Sequence, residues 1–277
     1  MYRLFRLTND YAFKRVFEDE EVAAAFLSDL LNLPIELFDE IKIVNPILLG
    51  ETIDLKVSIL DISLKLKTGE VINIEMQVAR DRVIVQRLLC QAGKLMANQI
   101  PKGKSEPTYN KLKKTIIVAI LVENHFNENT AYHKTYKLYD KKNESTMTDL
   151  LEFHILELNR VENLPVEEPV YEWCKAFNLS HEQDEEGLKE LSKKSQKVAK
   201  AVQKLESISR SERERQLYDS RERALMQTRD NLVLAQEETK IESIKNLLDL
   251  LDDEILAERF GFSVEEVKNI RNAQENN

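Results

Sequence analysis

Leu60-Asp61-Ile62-Ser63-Leu64-Lys65-Leu66-Lys67-Thr68-Gly69-Glu70-Val71-Ile72-Asn73-Ile74-Glu75-Met76-Gln77-Val78 is the stretch on which the reading of this chain turns. Leu60, Ile62, Leu64 and Leu66 alternate with Asp61, Ser63, Lys65 and Lys67. Ile72, Ile74, Met76 and Val78 alternate with Val71, Asn73, Glu75 and Gln77. A period of two means strands, and the glycine between the runs suits a hairpin position with φ > 0. With Lys67-Thr68-Gly69 as a three-residue loop, Leu66 faces Glu70, Leu64 faces Ile72, Ile62 faces Ile74 and Asp61 faces Glu75. A loop of two or four residues would put Asp61 and Glu75 on opposite sheet faces. Only the odd loop brings both apolar sets to one face. It also crowds two carboxylates, with Gln77 beyond them, onto the other face.

Helices read on both sides of the hairpin. Phe13, Val16 and Phe17 fall at i, i+3, i+4. Val22, Phe26, Leu27, Leu30 and Leu31 form a second apolar face, stopped at Asn32-Leu33-Pro34. The stretch from Arg82 to Gln99 is poor in breakers and reads as helix. Thr115-Ile116-Ile117-Val118-Ala119-Ile120-Leu121-Val122 reads as a strand buried on both faces, and Leu150 to Leu158 as one more strand. Helix, strands, hairpin, helix, buried strand is the order of an α/β or α+β domain with a mixed sheet.

The chain has 277 residues, room for one large domain or one domain with an appendage. Its 42% apolar content suffices for a sizeable core. The longest apolar run, Ile116 to Val122, is far short of the ~18 residues of a membrane helix. The Met1-Tyr2-Arg3-Leu4-Phe5-Arg6 start lacks an apolar run followed by a small-residue cleavage site. The expectation is neither a membrane nor a secreted protein, and no membrane partner. Cys90 and Cys174 cannot build a disulfide scaffold, and free thiols in a reducing cytoplasm are expected. The four histidines, His125, His133, His154 and His181, show no metal spacing. Net charge is 40 − 49 = −9, so contact with nucleic acid would need a local basic groove or a bound cation.

All six prolines lie at or before Pro169, and between Gly187 and Gly261 there is neither glycine nor proline. From His181 onward 17 Lys/Arg and 22 Asp/Glu crowd into the remaining 97 residues, which reads as charge-rich helix. The expected division is a compact domain over 1–180 and a charged helical tail over 181–277, parted at the polar run His181 to Gly187. Leu188, Leu191, Ser195, Val198, Val202 and Leu205 step by three and four. This seam either packs on the body, the favoured reading, or contributes to a homodimer through the C-terminal helices. Near the end, Ile255-Leu256-Ala257, a Gly261 turn and the capping box Ser263-Val264-Glu265-Glu266 outline a helix-turn-helix-like pair. Glu265 and Glu266 stand where a reading helix would meet DNA, and phosphates repel them. Docking of protein is therefore preferred to DNA reading.

Two carboxylates on one sheet face need a reason, because directly opposed like charges destabilise a strand pair. One reading is a solvated polar face with Lys65 or Lys67 as countercharge. The other is a hard-cation site, since Mg²⁺ takes oxygen ligands through one or two carboxylates and substrate phosphate.

Asp61 followed by Glu75-Met76-Gln77 resembles the D…E-x-K core of the PD-(D/E)XK nucleases. Together with Thr8-Asn9-Asp10-Tyr11-Ala12-Phe13-Lys14-Arg15-Val16-Phe17, Leu60-Asp61-Ile62 and Ile72-Asn73-Ile74-Glu75-Met76-Gln77, the chain looks like the recombination-promoting nuclease/transposase branch. Arg87, Trp173, Phe177 and Phe262-Ser263-Val264-Glu265-Glu266-Val267 extend the likeness over nearly the whole chain.

The resemblance implies a restriction-endonuclease-like core, a mixed central sheet flanked by helices, with a helical C-terminal region. It implies Mg²⁺-dependent hydrolysis of DNA phosphodiesters, with Mn²⁺ able to substitute, linked to recombination or mobile elements. Asp61, Glu75 and the backbone carbonyl of Met76 would hold the metal. Gln77, where the general pattern has lysine, would orient the attacking water without adding charge. Asp10 would be an auxiliary acid or the N-cap of the first helix. Lys14 and Arg87 would contact phosphate or be ordinary surface or salt-bridged residues. A catalytically degenerate nuclease fold that binds DNA or protein is the alternative. An interaction protein acting through the tail is a third reading.

Overall fold

The computed structural model of the protein describes residues 3–38, 42–43, 62–78, 82–100, 109–126 and 131–275. The chain forms two compact units, Met1–Tyr218 and Asp219–Asn277.

The first unit opens with helix α1 (Asp10–Phe17). Its N-cap is Asn9, whose side chain accepts from the Tyr11 and Ala12 amides at 3.0 and 3.3 Å. The capping role expected of Asp10 thus belongs to its neighbour. Asp10 is the first helical residue, where a negative charge favours the helix dipole. Helix α2 (Glu20–Leu31) is capped by Asp19 and ends at Asn32 in the left-handed conformation, before Leu33-Pro34, the stop read from sequence.

Strands β1 (Lys42–Ile43), β2 (Ile62–Lys65) and β3 (Val71–Gln77) follow. The β2–β3 register is the one that apolar alternation demanded: Ile62 opposite Ile74, Ser63 opposite Asn73, Leu64 opposite Ile72. The Leu66 amide donates to the Glu70 carbonyl at 2.9 Å, and Gly69 closes the turn at φ +102°. Helix α3 (Ile84–Asn98) leads to β4 (Thr115–Leu121), buried along its whole length. Strand β5 (His133–Lys137), a small separate hairpin of β6 (Tyr139–Asp140) with β7 (Ser145–Thr146), and β8 (Leu151–Glu157) complete the strands.

The main sheet is six-stranded in the order β1-β2-β3-β4-β8-β5. β3, β4 and β8 run parallel, and the other pairings are antiparallel. The sheet is the middle of three layers. One face, with Ile72, Ile74, Met76, Ile116, Val118 and Ile120, packs against α1, α2, α4 (Tyr171–Glu182), α5 (Glu185–Lys194) and α6 (Gln196–Arg210). The opposite face, with Ile117, Ala119, Leu121 and Ile155, takes Ile84, Leu88 and Ala92 of α3. Those three residues are four apart, one stripe of a helix. In the larger layer Phe13, Phe17, Phe26, Trp173 and Phe177 form a ring cluster with centroids 4.3–6.1 Å apart. The Trp173 indole donates to buried Asp29 at 2.9 Å.

The polar run His181 to Gly187 turns the chain between α4 and α5, and the core continues past it. Leu188, Leu191, Val198, Val202 and Leu205 are all buried in the larger cluster, so the helical seam packs on the body. Nor is the breaker-free stretch one helix. Ser195 caps α6, and Ser211 ends it ahead of the long α7 (Glu212–Leu247). In the second unit α8 (Asp253–Phe260) and α9 (Val264–Glu275) meet across Gly261, φ +75°. Ser263 and Glu266 cap α9 reciprocally. Ile244, Leu248, Leu256, Ala257 and Val267 form this unit's core.

Candidate functional site

Because β3 carries apolar residues on its even positions, Asn73, Glu75 and Gln77 point to the other face, in register with Ile117, Ala119 and Leu121 of β4. That is the face α3 covers. Ser63, Asn73 and Glu75 are buried beneath it, Glu75 with only 3% of its surface exposed. A solvated polar face is therefore not what forms here. Ser63 Oγ donates to Asn73 Oδ1 at 2.8 Å, joining the two hairpin arms.

A buried carboxylate is costly by several kcal/mol unless a positive charge accompanies it. The charge comes from α3, not from Lys65 or Lys67. Packing of Ile84 and Leu88 on the sheet fixes the helix face and lays Arg87 over β3. Its Nη2 donates to Glu75 Oε1 in an ion pair, and its Nη1 lies 3.5 Å from Gln77 Oε1. Arg87, Glu75 and Gln77, three residues singled out from the sequence, converge at the carboxyl end of a strand parallel to its neighbour. Ligand sites in open α/β sheets form at such strand ends. Asp61, the residue before β2, lies outside the described residues.

Asp10 and Lys14 stand on α1, whose phenylalanines pack against the opposite sheet face. Lys14 is buried, unlike an ordinary surface lysine, and Asp10 Oδ1 accepts from the Tyr11 amide at 2.7 Å. The α1 helix is held by a further network: Tyr11 Oη donates to Glu214 at 2.8 Å, and Arg15 grips both Glu214 oxygens at 2.9 and 3.0 Å. Burial, then the Glu214 hydrogen bond and charge, push the Tyr11 hydroxyl well above the usual phenol range.

A model of the PD-(D/E)XK nuclease family transposases matches residues 7–256. The chain belongs to the PD-(D/E)XK nuclease family transposases. No curated protein and no solved structure matches it significantly. Membership makes the three-layer α/β architecture a restriction-endonuclease-like fold and the protein's role nuclease- or transposase-related. The family span takes in α1, the hairpin, α3 and the helices that follow through α7. The D-x-x-F-K-x-x-F start and the Trp173/Phe177 pair, family signals in the sequence, meet in one aromatic core.

Two buried polar clusters in this PD-(D/E)XK family member carry no sequence signal. Glu157, the last residue of β8, lies in register with Leu121 on the α3 face. It pairs with Lys134 and Arg160 and accepts from the His125 and Phe126 amides at 2.9 and 3.1 Å. On the opposite face, His133 and His154 share a hydrogen bond of 2.9 Å, and His154 Nε2 reaches Glu152 at 2.7 Å. An ionised carboxylate only accepts, so His154 carries its proton on Nε2, and His133 Nε2 donates to His154 Nδ1. Lys114 lies 2.6 Å from Glu152. Burial alone would raise the Glu152 carboxyl, but Lys114 and His154 hold it down at about 2. Both clusters bring together residues far apart in sequence, 23 positions for Lys134 and Glu157 and 21 for His133 and His154, which no local pattern marks. Among the described residues no three His, Cys, Asp or Glu side chains are arranged so that they could hold a metal ion, and no helix is long and apolar enough to cross a membrane.

Proposed function

We propose that the protein is a metal-dependent DNA endonuclease linked to recombination or mobile elements. Mg²⁺ would be its cofactor, with Mn²⁺ able to substitute. The observation that carries the reading is the buried Glu75 carboxylate, flanked by the Gln77 amide and compensated by a cation from α3. The donors are hard oxygens of the kind Mg²⁺ takes, and a guanidinium already occupies the place where positive charge is demanded. The reading asks one more residue of the observed hairpin register, which would set Asp61 opposite Glu75. Asp61, Glu75 and the Met76 carbonyl would then hold the ion.

A divalent cation held there would polarise a phosphoryl oxygen and lower the pKa of a bound water. Gln77 would orient the attacking water through its amide oxygen. Arg87 would meet phosphate. Both cysteines are free thiols, which suits a reducing compartment such as the cytoplasm.

The test is nicking of supercoiled plasmid by the full chain in Mg²⁺ or Mn²⁺. Asp61→Asn and Glu75→Gln should each lower the rate by about 10²-fold or more, the scale of losing one group that stabilises the transition state. Wild-type cleavage by both variants would place the chemistry elsewhere. A second reading, a degenerate fold that binds DNA or protein without cutting, draws on the same ion pair, because Arg87 already neutralises Glu75. It expects no divalent-ion binding in calorimetry.

A further inference from the structure

The geometry points to Arg87 as a built-in stand-in for the metal, a positioning residue whose guanidinium must leave Glu75 before a divalent cation can bind there. This rests on the metal-site reading above and adds how the site is regulated: metal loading is a displacement, not the filling of a vacant cage.

Three features carry the inference. Glu75 is buried to 3% exposure on the covered face of β3, so in the metal-free protein its charge needs a permanent partner. The partner is a side chain on another element, with 29% of its surface exposed against 4% for the Glu75 side chain. Arg87 can swing toward solvent, whereas Glu75 is fixed by strand and register. Finally, the guanidinium addresses Glu75 Oε1 and lies 3.5 Å from Gln77 Oε1. It spans the two oxygen-bearing side chains that the nuclease reading assigns to metal and water. An arginine stem is anchored by its helix, and the guanidinium keeps its charge at all working pH values. A competing cation at Glu75 can therefore displace the guanidinium. Arginine and metal compete for one carboxylate oxygen, so their bindings are coupled negatively, and the coupling is reciprocal.

Calorimetric titration of the full chain with Mn²⁺ alone tests this, together with thermal unfolding with and without Mn²⁺. Arg87→Gln should bind Mn²⁺ about 5- to 150-fold tighter than wild type, the usual span of such couplings. Without metal it should melt lower than wild type, and Mn²⁺ should raise its melting temperature by more. Arg87→Lys keeps the charge but not the two-pronged reach and should fall between them. It serves as the readout should Arg87→Gln fail to fold. Glu75→Gln should bind no Mn²⁺. If the Arg87 variants bind Mn²⁺ no tighter than wild type while Glu75→Gln abolishes binding, the displacement idea is overturned and the metal site stands. If wild type and the Arg87 variants all bind none, both fall. A role for Arg87 in folding alone would lower stability without raising metal affinity.

Discussion

His133, His154 and Glu152 show what burial does to single side chains. Burial, reinforced by the neighbouring His154, pushes His133 down to about 4, and burial also lowers His154. The unfolded chain takes up these protons near pH 6.5, while the folded one refuses the His133 proton until about pH 4. Folding stability must therefore fall as pH drops through that window. The titratable neighbours are Glu152, Lys114 and Lys137. Glu152, held at about 2, adds a further loss below about pH 4.5, in the same direction. We expect roughly 2 kcal/mol lost between pH 7 and pH 4.5, read as the shift in urea midpoint. His133→Asn should flatten the slope, and an unchanged slope would refute the assignment. No sequence pattern announced this chain of groups. Its members come from two antiparallel strands, and only their register makes neighbours of them.

At the scale of elements the hairpin is decisive. Its loop length was legible because an error of one residue would turn every apolar side chain of β2 outward. Gly69 completes it at φ +102°, where an added Cβ would also meet the Lys113 side chain at 3.0 Å. Gly69→Ala should cost about 1–2 kcal/mol, measured by chemical denaturation. Since the turn sets the pairing of β2 with β3, the proposed nuclease reading expects the variant to nick plasmid more slowly than wild type. Wild-type stability would mean that the turn relaxes freely. The tail helices were less legible. Ser195 and Ser211 interrupt what reads as one continuous helix, because a serine hydroxyl that accepts a backbone N–H can begin a new helix without glycine or proline. Helix α3 was visible as a breaker-poor run. Its assignment to the face holding Glu75 was not.

For the whole molecule, the first compact unit continues through α5 and α6 to Tyr218. Val198, Val202 and Leu205 are at most 3% exposed there. A fragment ending at residue 180 loses these core side chains and leaves apolar sheet-side surface open. It should bind ANS and unfold without a sharp transition, whereas residues 1–218 should unfold cooperatively. Cooperative unfolding of both fragments would show that α5 and α6 are dispensable. Composition and alternation alone determined the mixed α/β class, the hairpin register, the two N-terminal helices, the buried central strand and the capped pair at the chain's end. Each rests on periodicity or on a capping residue within a few positions, which is local information. Tertiary structure alone decided that Asn9 and not Asp10 caps α1, that α3 supplies the cation over Glu75, and that Glu157 and His154 are buried with partners on another strand. Those outcomes depend on which faces meet. Faces meet where apolar burial is greatest across the whole fold, a quantity that no short window of sequence contains.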